Sequence, residues 1–133
     1  TWTATLTPVD GGAAETVRAR AVVNAAGPWV GEFLDRATPV RAGHAVRLVK
    51  GSHVVVPKLY DHPYAYIFQN EDKRIIFAIP YEGDYTLIGT TDVEYRGDAA
   101  RVAIDDGEVA YLCELANRYF VRRISPADVV WSY

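Results

Sequence analysis

At the centre of the sequence lies Arg47-Leu48-Val49-Lys50-Gly51-Ser52-His53-Val54-Val55-Val56-Pro57, an apolar stretch interrupted by Lys, Ser and His around one glycine. Its β-branched residues predict a single buried strand, and the interruption would bring several polar groups to one point. Polar groups that emerge from a rigid, well-packed element are typical of a binding site. A histidine beside a glycine is also common as a structural residue with a neutral hydrogen bond, so this stretch alone leaves its role open.

Three more strand patterns follow along the chain, at residues 65–69, 74–81 and 85–91. The turns between them are short and polar, as in hairpins, so we expect an antiparallel meander. Within the middle strand both alternating sets of side chains, from Ile75 to Ile79, are apolar. This pattern predicts that both faces of the strand are covered.

A helix is predicted after Asp105-Asp106, where apolar residues recur at helical spacing from Val109 to Phe120. One of the two aspartates is expected to cap its start, and the helix would cover one face of the meander. The predicted fold class is α+β, a mainly antiparallel or mixed β-sheet with packed helices.

The first part of the chain predicts two strands, Trp2 to Leu6 and Val17 to Asn24, joined by a hairpin loop around Gly11-Gly12. The second strand becomes continuously apolar at residues 21–23, which predicts cover on both faces. Small residues, Ala25-Ala26-Gly27, then precede a helix that begins at Pro28. They would let a flat ligand approach closely, although tight packing between strand and helix explains them equally well. Residues 39–43 predict a linker.

Composition limits the class of protein. The 133 residues are 50% hydrophobic and 23% charged, which is typical of one globular domain. A net charge of −3 without a basic patch gives no reason to expect a nucleic-acid partner. The single cysteine, Cys113, cannot form an internal disulfide and favours a reducing, intracellular setting. Apolar runs stay well short of the roughly 20 residues that span a bilayer.

Both ends of the sequence fall inside strand patterns, and methionine is absent. We therefore expect the chain to be an internal piece of a longer protein.

Six polar residues stand at strand ends or beside glycines: Lys50, Ser52, His53, Thr90, Thr91 and Asp92. A cation and several hydroxyls suit an anionic, hydroxylated small molecule, and a histidine can accept a proton from an alcohol. Alcohol oxidation fits these groups. A metal site does not, because carboxylates and histidines lack ligand spacing. Covalent catalysis by Ser52 with His53 is disfavoured, since neighbours in a strand point to opposite faces.

Four motifs together resemble the middle of the respiratory, FAD-dependent glycerol-3-phosphate dehydrogenases, in order and spacing and over nearly the whole chain. They are Asn24-Ala25-Ala26-Gly27-Pro28-Trp29, Arg47-Leu48-Val49-Lys50-Gly51-Ser52-His53, Gln69-Asn70-Glu71-Asp72-Lys73-Arg74 and Ile88-Gly89-Thr90-Thr91-Asp92-Val93-Glu94-Tyr95. Any one of these motifs would indicate only the wider family of flavin amine and alcohol oxidases.

The resemblance implies oxidation of sn-glycerol 3-phosphate to dihydroxyacetone phosphate, with hydride transfer from C2 to the flavin N5 and electron transfer to a quinone. It implies that residues 25–27 (Ala25, Ala26, Gly27) and Trp29 lie against FAD, and that His53 orients or deprotonates the C2 hydroxyl. Lys50, Ser52, Thr90 and Thr91 are implied to line the substrate cavity. For Lys50 an ion pair that supports the strand is an alternative.

By this resemblance, residues 1–36 are a remnant of the FAD-binding domain. Residues 37–133 are the substrate-binding (cap) domain, truncated at its C-terminal end, of an oxidoreductase of the D-amino-acid-oxidase-like type. A Gly-x-Gly-x-x-Gly turn for the FAD pyrophosphate is missing, so we expect this chain alone to lack FAD and to be inactive. The full-length enzyme is expected to be cytoplasmic and peripheral to the inner membrane, and the piece alone to self-associate through unpaired edges.

Two alternatives stay open. A glycerol-3-phosphate oxidase shares these motifs but passes its electrons to oxygen. A free-standing module that binds a small molecule without redox chemistry is the second, and a start codon just before Thr1 together with a stop codon after Tyr133 would favour it.

Overall fold

The computed structural model describes residues 1–40, 43 and 45–133. Within these, the chain forms two compact units, Thr1–Val46 and Arg47–Tyr133. The functional division predicted at residues 36/37 stays a prediction. The linker predicted at residues 39–43 lies partly outside the described residues.

The first unit begins with an antiparallel hairpin of β1 (Trp2–Leu6) and β2 (Glu15–Ala19), in which Trp2 faces Ala19 and Leu6 faces Glu15. A 3-10 turn at Gly27–Trp29 then leads into α1 (Val30–Ala37). Pro28 occupies the first turn, as predicted, because it lacks the N–H that would be unpaired there.

The predicted second strand is wrong beyond Ala19. β1 starts at Trp2, so the chain after Ala19 has no strand opposite it within the described residues, and the backbone leaves the sheet. The apolar residues of that segment are not covered there, and Val23 is 87% exposed.

The second unit is built on a five-stranded sheet, and every pairing in it is antiparallel. In chain order its strands are β4 (His53–Pro57), β5 (Tyr66–Gln69), β6 (Ile75–Tyr81), β7 (Tyr85–Gly89) and β9 (Trp131–Ser132). Their spatial order is β5-β6-β7-β4-β9, so the meander β5 to β7 is confirmed and β4 returns to pair with β7. The remaining strands, β3 (Val49–Lys50) and β8 (Val93–Glu94), pair with each other.

The stretch 47–57 is therefore two strands rather than one. It changes sheets at Gly51-Ser52, where β3 ends and β4 begins. A Cβ at Gly51 would lie 2.6 Å from Thr90 Oγ1, so any larger residue there would displace the Thr90 hydroxyl.

One face of the five-stranded sheet packs against α2 (Asp106–Tyr119). The core joins Val54 and Val56 of β4 and Ile88 of β7 to Leu112 and its neighbours on the helix. Each such side chain contributes about 1.5–3 kcal/mol when it is removed from water. Asp105 caps the helix, as predicted, by accepting a hydrogen bond from Glu108 N–H at 2.9 Å.

The prediction that β6 is covered on both faces is wrong. Ile76 is buried in the core with residues of α2, and Ala78 is buried on the same side, but Ile75, Phe77 and Ile79 on the opposite side are 36–43% exposed. We call this opposite side the outer face; the strand registers place His53 and Val55 of β4 and Leu87 and Gly89 of β7 on it with those three residues. The expected α+β class is confirmed. No helix in the described part of the chain is long and apolar enough to cross a bilayer.

Candidate functional site

His53 is the first residue of β4 and lies on the outer face of the sheet. Its backbone is held on both sides: His53 faces Gly89 of β7 in the register, and it exchanges hydrogen bonds with Tyr133, at 2.7 Å from His53 N to Tyr133 O and 3.1 Å from Tyr133 N to His53 O. The ring stacks on the Tyr133 ring with 5.2 Å between centroids. The strand pairing therefore fixes the point from which the imidazole projects.

The imidazole of His53 lies directly over Gly89. A Cβ at Gly89 would be 2.1 Å from His53 Cδ2, so a glycine is required there for the ring to keep its position. The Nδ1 atom is buried and has no hydrogen-bond partner among the described residues. Buried polar atoms are almost always paired, so this half-buried histidine retains hydrogen-bonding capacity that the described part of the chain does not use.

Behind His53, on the helix side of the sheet, the carboxylate of Glu108 collects four donors. Its Oε1 accepts from Thr91 Oγ1 at 2.8 Å and from Ser52 Oγ at 3.0 Å. Its Oε2 accepts from Asp105 N at 3.0 Å and is 2.5 Å from Lys50 Nζ. Glu108 is 7% exposed. The arrangement is a satisfied, buried polar cluster, which specifies a unique geometry.

The charges of this cluster stabilise each other. Burial alone would raise the pKa of Glu108, but the hydrogen bonds from Lys50, Asp105 N, Thr91 and Ser52 outweigh it and lower that pKa. The hydrogen bond to Glu108 raises the pKa of Lys50 above its ordinary value, against the opposing effect of burial. Both groups are therefore ionised at neutral pH.

The structure separates the predicted substrate-binding residues into two sets. Lys50, Ser52 and Thr91 direct their polar atoms to Glu108, whereas His53 occupies the opposite face. The ion pair considered for Lys50 from the sequence is present. Their contact with a substrate stays a prediction.

Thr90 is half-buried next to the cis peptide bond Gly89–Thr90, and its hydroxyl donates to Thr91 O at 2.9 Å. It lines an open pocket of about 590 Å³. The charged residues of that pocket are Arg47, Asp72, Lys73, Arg74 and Asp92. Thr90 is thus a predicted substrate-binding residue that lines an open pocket.

The predicted cofactor-binding residues form a turn in the first unit. Asn24 fixes this turn, because its side chain donates to Val30 O at 3.0 Å and accepts from Ala26 N at 3.2 Å. Gly27 has φ +54° and an added Cβ would meet no described atom within 4 Å. Trp29 is 45% exposed and, with Ala26, lines an open pocket of about 330 Å³.

Two residues of this site were missed from the sequence. Glu108 had a visible signal, since an acidic residue three positions after an N-cap aspartate is the pattern of a capping box. Gly89 appeared only as a member of a motif, and its role follows from the register that places it opposite His53. The described residues contain no group of three or more His, Cys, Asp or Glu side chains that could hold a metal ion.

Comparison with known proteins gives a consistent assignment. The model of the FAD dependent oxidoreductase family matches residues 3–133. A glycerol-3-phosphate dehydrogenase from Pseudomonas aeruginosa is 50% identical over 122 residues, which are 92% of this chain and 24% of the relative. A D-erythritol 1-phosphate dehydrogenase from Brucella abortus is 48% identical over 124 residues, 93% of this chain and 25% of the relative.

Among solved structures, the X-ray structure of the glycerol-3-phosphate dehydrogenase from Bacillus halodurans complexed with FAD is similar, with a TM-score of 0.75 and 36% identity. The match covers 90% of this chain and 24% of that structure. This chain therefore spans about a quarter of the length of the relatives it matches. The resemblance read from the four motifs is confirmed, and because the family model matches nearly all of its residues, this chain belongs to the FAD-dependent oxidoreductase family.

Proposed function

We propose that the full-length protein containing this chain oxidises sn-glycerol 3-phosphate to dihydroxyacetone phosphate with FAD as the electron acceptor. The observation that carries the proposal is His53: a histidine fixed on the outer face, over a glycine, with a buried Nδ1 that no described residue uses. The names of the Pseudomonas aeruginosa relative and of the Bacillus halodurans structure support the substrate.

His53 is proposed to contact the C2 hydroxyl of the substrate. Oxidation of a secondary alcohol to a ketone removes a hydride, which carries both electrons, from carbon and a proton from oxygen, so a group that can hold that proton belongs at the oxygen. A neutral imidazole can accept it, or can orient the hydroxyl through a hydrogen bond. Bound FAD supplies the two-electron acceptor.

The turn at residues 25–27 fits a flat cofactor. Its small side chains and the left-handed glycine leave the backbone accessible, and Asn24 holds the turn in shape. We propose that Ala25, Ala26 and Gly27 contact FAD through this exposed backbone and that Trp29 packs beside it.

Thr90 and the Lys50–Ser52–Thr91 set have different proposed roles. Thr90 is proposed to contact substrate directly, because it borders the pocket that also contains the cationic side chains of Arg47 and Arg74. Cations suit a phosphate group, although Asp72 and Asp92 line the same pocket. Lys50, Ser52 and Thr91 are proposed to act at the substrate cavity from behind His53.

We further propose a quinone as the final electron acceptor and peripheral contact with the inner membrane from its cytoplasmic side, as the family resemblance implies. An oxidase that uses oxygen is the alternative. Peroxide formed by the full-length protein during turnover in air, at a rate equal to substrate oxidation, would favour the oxidase.

D-Erythritol 1-phosphate is a second candidate substrate, because the Brucella abortus relative with that name is 48% identical. Both compounds carry a phosphate monoester and a secondary hydroxyl, so the groups on the outer face suit either.

Anaerobic bleaching of the flavin tests the function without an assumed acceptor. The purified full-length protein is mixed with sn-glycerol 3-phosphate, D-erythritol 1-phosphate or glycerol, and the visible absorption is followed. We expect glycerol 3-phosphate to reduce the flavin fastest and glycerol, which lacks the phosphate group, to reduce it slowest. Faster reduction by erythritol 1-phosphate would reassign the substrate, and no reduction by any phosphate ester would refute the proposed function.

For the isolated 133-residue chain we predict neither tight FAD binding nor turnover. A visible flavin spectrum at one FAD per chain after purification would contradict this.

A further inference from the structure

We infer that Glu108 is a positioning residue for His53, acting through the two backbone segments that flank the histidine. The inference rests on the proposed function for its effect on turnover, whereas its structural content, the position of the His53 ring, can be measured independently of any substrate.

Two backbone segments flank the His53 ring. One segment contains Ser52, which immediately precedes β4, and the other contains Thr91, two residues after the end of β7. They are tied twice to each other, since Ser52 N donates to Thr91 Oγ1 at 2.8 Å and Thr91 N donates to Ser52 O at 3.2 Å. The hydroxyls of both residues then donate to the same oxygen of Glu108.

The clamp formed by Ser52, Thr91 and Glu108 lies close to the imidazole along the chain. Ser52 immediately precedes His53, and Thr91 is two residues beyond Gly89, the residue over which the ring lies. A change in the separation of Ser52 and Thr91 therefore moves the platform on which the imidazole rests. Because the hydroxyls of Ser52 and Thr91 both contact Glu108 of α2, the clamp holds His53 from the helix side without occupying its face.

The carboxylate of Glu108 is itself held rigidly. Glu108 belongs to the first turn of α2, where its own N–H donates to Asp105 Oδ1 at 2.9 Å. Its second carboxylate oxygen is held by Lys50 and Asp105 N. The carboxylate cannot rotate without breaking several hydrogen bonds, so it transmits the position of the helix to the two strands. Misplacement of a catalytic group by about 1 Å can cost on the order of 10²-fold in rate.

The experiment uses the full-length, FAD-loaded protein with two readouts. The NMR signals of ¹³C-labelled histidine ring carbons report the environment of His53, whose signal is assigned by its loss in His53→Ala. Steady-state kcat, divided by the amount of flavin that substrate can reduce, reports turnover per competent site.

Four variants separate positioning from stability. Glu108→Ala removes the clamp, whereas Glu108→Gln retains an oxygen that can accept from both hydroxyls but replaces the oxygen that accepts from Lys50 and Asp105 N by an amide nitrogen. Leu112→Ala destabilises the same helix, because Leu112 is fully buried in the core, but leaves the clamp intact. Glu114→Ala removes an exposed glutamate of α2 that pairs only with Arg118 among the described residues.

We expect Glu108→Ala to shift the His53 signal and to lower kcat per reducible flavin by about 10²-fold, with Glu108→Gln falling between Glu108→Ala and wild type in both. Leu112→Ala and Glu114→Ala should leave both within error. A His53 signal that stays in place in Glu108→Ala, or an equal loss of kcat in Leu112→Ala, would overturn the inference. If the wild-type protein fails to oxidise glycerol 3-phosphate, the proposed function falls, and the His53 signal alone then decides the role of Glu108.

Discussion

Replacing Gly89 by alanine should displace His53 and little else. The added methyl would lie 2.1 Å from Cδ2, 2.7 Å from Cγ and 2.8 Å from Nε2 of the imidazole, whereas ordinary contacts begin at 3.4 Å. The ring must therefore move by at least the difference, 3.4 − 2.1, or about 1.3 Å. The backbone at both positions is fixed by the pairing of β4 and β7, so the side chain has to yield. A shift of this size at a catalytic group corresponds to a loss of roughly 10²-fold in kcat.

The assay is turnover of glycerol 3-phosphate per bound flavin in the full-length protein, for wild type, Gly89→Ala and Gly43→Ala. Gly43 is the matched control, because a methyl added there meets no described atom within 4 Å. Gly89 does not have a left-handed φ, so alanine is compatible with the backbone there. Overpacking at such a close contact can lower stability by about 1–3 kcal/mol, so turnover is normalised to bound flavin. A Gly89→Ala protein that retains kcat within twofold of wild type would show that the position of the His53 ring does not limit turnover.

Three further outcomes are expected for the isolated chain. Leu112→Ala should lower the free energy of unfolding in urea by about 2–5 kcal/mol, while Val121→Ala, at a fully exposed site, should leave it unchanged. The fold lowers the pKa of Glu108, so its contribution to stability is present above the unfolded pKa of about 4.3 and is lost as pH falls through the folded pKa. Lowering the pH should therefore reduce the free energy of unfolding more for wild type than for Glu108→Gln. Parallel plots of unfolding free energy against pH for the two proteins would contradict this. The apolar outer face should cause self-association, which a clean monomer in size-exclusion chromatography at low micromolar concentration would disprove.

The antiparallel meander and its covering helix could be predicted because local patterns determine them. Alternation with period two, short polar turns and apolar residues at helical spacing are all contained within a few residues of each other. The cap at Asp105 has the same local origin. These elements match the structure to within one or two residues at β5 to β7.

The predicted cover on both faces of β6 and the predicted extension of β2 were wrong for the same reason. An apolar segment indicates that its side chains can be buried, but it does not identify the element that would bury them. Ile75, Phe77 and Ile79 read as a buried face, yet in the described structure they form part of the outer face. Val22 and Val23 likewise read as a covered strand, although no described strand pairs with them. Cover for such residues depends on long-range contacts, which alternation within one segment does not specify.

The sequence predicted only part of the site, for a related reason. Ser52, His53 and Thr91 lie within two motifs, but which face each side chain uses depends on register and on the helix behind them. Alternation along the strand does place Ser52 and His53 on opposite faces. It does not identify Glu108, 56 positions after Ser52, as the group that receives the Ser52 hydroxyl. The change of sheet at Gly51 is also invisible locally, because the apolar residues continue on both sides of it.

The central claim is that His53 is the group on this chain that acts on the substrate hydroxyl. Its most direct test compares His53→Ala with His62→Ala in the full-length protein, measuring turnover of sn-glycerol 3-phosphate with a dye acceptor per bound flavin. His62 is a matched control, since it stacks on Tyr60 at 4.6 Å and hydrogen-bonds Tyr66 OH at 2.7 Å, away from the outer-face residues around His53. We predict that His53→Ala loses 10²-fold or more of kcat, the usual effect of removing a proton-transfer group, and that His62→Ala stays within about threefold of wild type. Equal activity of the two variants would contradict the account.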